Sequence, residues 1–255
     1  MIVSREHRFV FVEVPFTGST AIAKELVEQY GCEEVLRKHA HLREFLNQAT
    51  VEEKRYTVAA STRHPLDQTL SYYTKLCSNH RGSFSDPQRF KENGGWVTHA
   101  NREHFQFASD PAHDFSDFLR RYYIGQSVRI SQYAWGRSRY DHLLRFETLN
   151  PDFQSVLRTL DIPPKRDLPL TNPTQGRDRD FLAAYPEDLQ APLCAVLGPL
   201  IAEWGYELPD TWRSTTSLAN RTAYFLKNLL GRFATELLHL TPADYHTLRA
   251  KLGRE

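Results

Sequence analysis

At 255 residues, with 40% hydrophobic and 25% charged residues, the chain has the composition of a soluble globular protein and the length for one or two domains. A formal net charge of +1 disfavours a general nucleic-acid binder, which needs a clustered basic excess. Cys32, Cys77 and Cys194 are too scattered for a disulfide framework or a cysteine-based zinc site, the first eight residues lack the pattern of a signal peptide, and no stretch is apolar enough to span a membrane, so a cytoplasmic protein is expected.

The run Phe9-Val10-Phe11-Val12-Glu13-Val14 predicts a buried strand, central in a parallel sheet, ended by Pro15. Residues 21–30 predict a helix with Ile22, Leu26 and Val27 on one face and Gly31 just past its end. Glu34-Val35-Leu36 predicts a second short strand leading into Arg37-Lys38-His39-Ala40-His41, and 42–48 a helix. Residues 55–60 predict a third strand; Arg63-His64-Pro65 breaks it, and a helix over 66–76 follows with Pro65 near its start. Strand, turn and helix recur in that order, which favours an α/β fold with a parallel sheet.

Residues 78–111 are polar and aperiodic, and read as a long loop: a lid, a binding segment or a disordered stretch. Helices are expected at 115–123, 127–135, 151–160 and 189–204, the last interrupted by Pro192 and Pro199, and a short strand at 142–146. From Ser217 the character changes. Phe225, Leu229, Phe233 and Leu237 recur every four residues between Arg221, Lys227 and Arg232, and Thr241-Pro242-Ala243-Asp244 forms a further helix start. The expected division is a main domain over 1–214 and a helical extension over 215–255. The apolar stripe of that extension is expected to pack on the domain or on a second subunit, which makes a homodimer through the C-terminal helices one expected partner. Association with a membrane surface ranks second.

Two places carry chemistry. The segment Pro15-Phe16-Thr17-Gly18-Ser19-Thr20 joins the first buried strand to the first helix, where unpaired N–H groups and the local dipole favour an anion. Gly18 lets backbone approach a phosphate, and Thr17, Ser19 and Thr20 add hydroxyls. A plain helix cap with no ligand explains the same residues. The motif GxxxxGK[ST] is absent, which disfavours an ordinary ATPase or GTPase, and with them a small-molecule kinase on a similar fold. After the third strand, Arg63 and Ser71 stand close enough in sequence to reach one anion at the start of a helix. A surface ion pair and a solvated serine are the alternative.

With these residues the chain resembles the PAPS-dependent sulfotransferases, in particular the carbohydrate and heparan-type 2-O branch and its bacterial relatives. Pro15-Phe16-Thr17-Gly18-Ser19-Thr20 is similar to the family's Pro-Lys-Thr-Gly-Gly-Thr, and Arg63-His64-Pro65-Leu66-Asp67-Gln68-Thr69-Leu70-Ser71-Tyr72-Tyr73 to its Arg-Asn-Pro-x-Asp-Arg-x-x-Ser-x-Tyr. Gln132-Tyr133, Leu144-Arg145-Phe146-Glu147-Thr148-Leu149, Thr171-Asn172-Pro173-Thr174 and Trp204-Gly205-Tyr206 resemble later family elements in the same order.

The resemblance implies a P-loop NTPase-like three-layer α/β fold, with a central parallel sheet flanked by helices and here a helical C-terminal tail. It implies that PAPS is the donor and PAP the product, with no metal required. The first loop, residues 15–20, would bind the 5′-phosphosulfate, and Arg63 and Ser71 the 3′-phosphate. Arg177, beside Arg179, would lie in a loop closing over the nucleotide. The acceptor would be a hydroxyl on a small molecule or a saccharide. His39 is the expected base, matching a His-x-x-x-x-x-Phe pattern through Phe45, with His41 in reserve. Phe16 departs from the family, which has a lysine there, and Lys38 is the expected substitute charge. The alternative drawn from Phe16 is a PAP- or PAPS-binding protein with a sulfotransferase-like fold and impaired transfer.

Overall fold

The computed structural model of the protein describes residues 1–124, 137, 139–169, 180–212 and 217–236. They fall into two compact units: Met1–His64, Ile130–Pro173 and Thr222–Glu255 form unit 1, and Pro65–Arg129 with Thr174–Arg221 form unit 2.

Unit 1 is built on a five-stranded sheet. Its strands are β1 (Ile2–Ser4), β2 (Phe9–Val12), β3 (Glu33–Glu34), β4 (Thr57–Thr62) and β5 (His142–Arg145), in the order β3-β1-β2-β4-β5. β2, β4 and β5 run parallel, with Phe11 opposite Ala59 and Ala60 opposite Leu143. β1 runs against β2, with Ile2 opposite Phe11, so the sheet is mixed and its centre parallel. β2 sits at the middle, as its unbroken apolar run requires. Phe9, Phe11, Ala59 and Leu144 pack with α1 (Ser19–Tyr30) and α6 (Leu149–Thr159) through Ile22, Leu26, Phe153 and Leu157. Val10, Val12 and Ala60, which alternate with them along the strands, are also fully buried, so the central strands are covered on both faces.

Several expectations need adjusting. Val27 is 41% exposed, so the buried face of α1 is set by Ile22 and Leu26 without it. The second strand is Glu33–Glu34, a residue earlier than Val35 and Leu36 suggest, and both its side chains face solvent at the sheet edge. β2 stops at Val12 and β4 is displaced two residues towards its C-terminus, because pairing with neighbours and not hydrophobicity fixes strand ends. α2 (Leu42–Gln48) has the predicted bounds.

Unit 2 is helical: α3 (Pro65–Cys77), α4 (His99–Ser109), α5 (Phe115–Tyr122) and α7 (Glu187–Glu203). The long loop expected over 78–111 contains α4. Thr98 caps that helix, its Oγ1 accepting from Asn101 N–H at 3.2 Å while Asn101 Oδ1 accepts from Thr98 N–H at 3.0 Å. α4 packs through an aromatic cluster, His104 lying 4.1 Å from the Tyr122 ring centre and accepting or donating a hydrogen bond with Tyr72 Oη at 3.0 Å. Pro192 and Pro199 both lie inside α7, which runs unbroken across them.

The last described helix is α8 (Leu218–Glu236). Its buried side is Tyr224 and Asn228, whereas Phe225, Leu229 and Phe233 are more than half exposed, so the described chain does not cover the predicted stripe. The helix predicted at 127–135 and the helix start at Thr241 lie outside the described residues. Among the described residues no helix is long and apolar enough to cross a membrane.

Candidate functional site

The site grows out of the C-terminal ends of the parallel strands, where a sheet of this kind leaves a crevice. After β2 the chain turns through residues 15–18 and enters α1 with Gly18 as its N-cap at φ 77°. Phe16 is also left-handed, at φ 65°, and two such residues in one short turn curl the backbone tightly over the start of α1. Inward hydroxyls hold the curl. Thr17 Oγ1 and Ser19 Oγ both donate to the Val14 carbonyl, at 2.8 and 2.9 Å. Thr17 has spent its one hydroxyl proton there, so Ser61 Oγ, 2.6 Å away on β4, is the donor of the bond between them. Thr17 and Ser19 are thus buried pins, and what they offer an anion is the backbone N–H.

Arg63, directly after β4, is brought onto this loop. Its Nη1 donates to the Phe16 carbonyl at 2.9 Å, and its guanidinium lies 4.0 Å above the Phe146 ring. Phe146 follows β5 and also presses on the loop: a methyl group at Gly18 would lie 3.1 Å from its ring and 2.7 Å from Leu149 Cδ2. Its neighbour Glu147 accepts a hydrogen bond from His64 N–H at 3.0 Å, tying the end of β5 to the end of β4. Phe146, Glu147 and Leu149 belong to the segment matched in sequence, but their part in shaping the loop was not foreseen. The available signal in the sequence was an aromatic residue followed by a carboxylate, Phe146-Glu147, directly after a strand.

Lys38 and His39 arrive from the segment after β3. Lys38 Nζ donates to Thr20 Oγ1 at 2.8 Å, which sets its ammonium against the first turn of α1. His39 sits at φ 60°, and its Nδ1 is 2.8 Å from the Glu13 carbonyl. A carbonyl only accepts, so Nδ1 carries the proton and Nε2 is the basic nitrogen. Burial holds His39 below the ordinary histidine value of 6.5, and the Lys38 charge adds to this; the hydrogen bond to Glu13 opposes them. His41 serves as N-cap of α2, its N–H donating to Glu44 Oε1 at 2.9 Å.

Within unit 1 the structure therefore assembles residues 15–20, Lys38, His39 and Arg63 around one loop. Ser71 lies in unit 2, on α3; its hydroxyl is fully buried and has no hydrogen-bond partner among the described residues. Arg177, with Arg179, Gln132, Tyr133 and residues 171–174, lies outside the described residues. Among the described residues no group of three or more His, Cys, Asp and Glu side chains is placed to hold a metal.

A model of the sulfotransferase family matches residues 1–180. The chain belongs to the sulfotransferase family. The match spans the whole sheet and loop of this sulfotransferase, and α6 beyond them. No curated protein and no solved structure gave a significant match. Family membership gives sulfuryl transfer as the general chemistry, and the five-stranded α/β architecture suits it. All three cysteines are free, and burial pushes Cys32 and Cys194 up to about 11, which leaves them as protonated, unreactive thiols.

Proposed function

We propose that this sulfotransferase binds PAPS on residues 15–20 and Arg63 and transfers its sulfuryl group to a hydroxyl acceptor, a saccharide being one such class. The observation that carries the reading is the 2.9 Å bond from Arg63 Nη1 to the Phe16 carbonyl, which puts a cation beside the strand-loop-helix anion site. The loop N–H groups take the 5′ end of the donor, and the Arg63 guanidinium the 3′-phosphate. Ser71 is assigned to the 3′-phosphate on the sequence resemblance alone, through its place in Arg63-His64-Pro65-Leu66-Asp67-Gln68-Thr69-Leu70-Ser71.

In transfer, the acceptor oxygen attacks sulfur in line with the bond to the 5′-phosphate. That bond breaks, its electrons go to the phosphate oxygen of PAP, and the acceptor proton goes to His39 Nε2. Charge therefore develops on the leaving oxygen. Phe16 has nothing to answer it, and Lys38, held on Thr20, supplies the cation that the family places in the loop.

Calorimetry with PAP and with ATP, in EDTA, tests the binding. PAP is expected to bind and ATP to bind far more weakly, and Arg63→Ala is expected to cost PAP roughly 10- to 100-fold in affinity. Unchanged affinity in that variant would sink the site. His39→Ala is expected to lower transfer by about 10²- to 10⁴-fold while sparing PAP binding.

A second reading rests on Phe16, an apolar residue in a left-handed conformation where the family carries its lysine. It makes the protein a PAP- or PAPS-binding module without transfer. Lys38→Ala separates the two: transfer by the wild type that falls about 10²-fold in the variant supports the enzyme, and absence of transfer in both supports the module.

A further inference from the structure

α8 (Leu218–Glu236) wears its amphipathic pattern inside out. A helix on a protein surface normally turns its apolar stripe to the core and its polar side to water. In α8 the inward side holds Tyr224 and Asn228, both buried, with Lys227 half-buried beside them. The outward side holds Phe225, Leu226, Leu229, Leu230 and Phe233, which are between 51% and 66% exposed. All five belong to unit 1, and at 3.6 residues per turn they share one arc of about 140°.

The area of this stripe fits a second copy of the chain. With roughly 200 Å² for a whole side chain of this size, the five leave on the order of 500 Å² of apolar surface in water. A standard interface takes about 800 Å² from each partner, about 65% of it apolar in homodimers, so the stripe alone matches the apolar share. The pattern is also self-complementary. Phe225, Leu229 and Phe233 form one ridge of i, i+4 spacing, symmetrical about Leu229, and Leu226 and Leu230 form a second beside it. Two such ridges leave a groove that accepts the same ridge from an identical helix, and a two-fold contact requires a patch that fits itself. Charge sets the direction. Arg221 is exposed in the first turn of α8, the end where the helix dipole repels a cation. Antiparallel pairing carries it towards the negative end of the other helix, whereas parallel pairing sets two such arginines side by side. A helix lying on an anionic bilayer would frame its apolar face with cations, but Lys227 sits on the inward side with Asn228.

We propose that α8 is the interface of a homodimer, in which two copies of the chain pack antiparallel about a two-fold axis at Leu229. Leu229 then meets its own counterpart, and Phe225 meets the partner's Phe233. Leu226 and Leu230 close the groove on either side. The stripe shares no residue with the loop at 15–20, Lys38, His39 or Arg63, so the dimer stands or falls independently of the nucleotide reading.

The test is sedimentation equilibrium of the full chain over a concentration series, with PAP affinity measured on the same samples. The wild type is expected to form a dimer. Leu229→Lys is expected to weaken association about 30-fold or more, leaving the circular dichroism spectrum and PAP affinity unchanged, because this side chain is more than half exposed in the single chain. Phe225→Glu and Phe233→Lys are each expected to weaken the dimer. Phe225→Glu/Phe233→Lys is expected to recover part of it, since antiparallel pairing brings the opposite charges together twice. A wild type that stays monomeric at about 100 µM overturns the proposal; binding to vesicles of phosphatidylserine and phosphatidylcholine would then assign the stripe to a bilayer, and no binding would assign it to residues 237–255 of the same chain. A dimer left intact by Leu229→Lys overturns it as well, and so does a double variant that associates no better than the single ones.

Discussion

At Gly18 two demands coincide. The backbone takes φ 77°, which an L-residue adopts at a cost, and a methyl group there would lie 2.7 Å from Leu149 Cδ2 and 3.1 Å from the Phe146 ring. The ring cannot move without moving the guanidinium of Arg63 stacked on it. Gly18→Ala is therefore expected to destabilise the protein by roughly 1–3 kcal/mol in urea unfolding, and to weaken PAP binding beyond any effect of fold loss. An unchanged urea midpoint would show that the loop tolerates a side chain. His39 gives a prediction in pH. Its folded value lies below the ordinary 6.5, so it is neutral, and able to accept a proton, at pH 7. kcat/KM for transfer is expected to stay level as pH falls to 6.5 and to decline only below that; His39→Asn, measured over the same range, should lose the decline together with most of the activity. Stability moves in the same sense: on acidification the unfolded chain binds the proton first, so this residue withdraws stability as pH falls past 6.5. At this scale the need for glycine was legible in Thr17-Gly18-Ser19-Thr20, since a tight strand-to-helix turn calls for it. The inward direction of the Thr17 and Ser19 hydroxyls was not, because the Val14 carbonyl that draws them is an acceptor only once the turn has formed.

Among the elements, α1, α2 and α3 announce themselves through apolar spacing, Gly31 and Pro65. β1 does not: its three residues become a strand only by pairing Ile2 with Phe11 and Val3 with Val10. α4 was hidden for a different reason. Its packing side includes His104, which reads as polar in sequence yet packs edge-on or tilted among Tyr72, Phe118 and Tyr122. α1, which carries the loop at its head, is also fastened along its length. Glu25 is fully buried, and Arg166 grips its carboxylate from the segment after α6, with Nε to Oε1 at 3.0 Å and Nη2 to Oε2 at 2.9 Å. The next tie is Lys165 N–H, which donates to Tyr30 Oη at 2.9 Å. Arg166→Ala leaves a buried carboxylate without its cation, and the melting temperature followed by circular dichroism is expected to drop by several degrees. Arg166→Met/Glu25→Leu, which removes both charges and refills the space, is expected to recover most of that loss. If the single variant melts like the wild type, the pair is not what fastens α1.

For the molecule as a whole, ligand linkage joins the fold to the proposed chemistry. A ligand that binds only the folded chain stabilises it in proportion to the logarithm of its concentration, by about 2.7 kcal/mol at a hundredfold excess over its dissociation constant. Unit 1 contains the sheet, residues 15–20, Lys38, His39, Arg63 and Glu147, and so most of the proposed nucleotide contacts. The parallel centre of that sheet was legible in the strand-turn-helix recurrence, whereas the order β3-β1-β2-β4-β5 depended on a strand too short to recognise. With two compact units, heating can give two transitions, and the shift then belongs to the one that unfolds the sheet. PAP in EDTA is expected to raise that transition by an amount that grows with the logarithm of PAP concentration, and Arg63→Ala to shift the whole dependence to higher PAP. Scanning calorimetry over a series of PAP concentrations measures both. A transition that ignores PAP but rises with ATP and Mg²⁺ would overturn the nucleotide assignment, since a loop without the Walker lysine would then be handling a triphosphate after all.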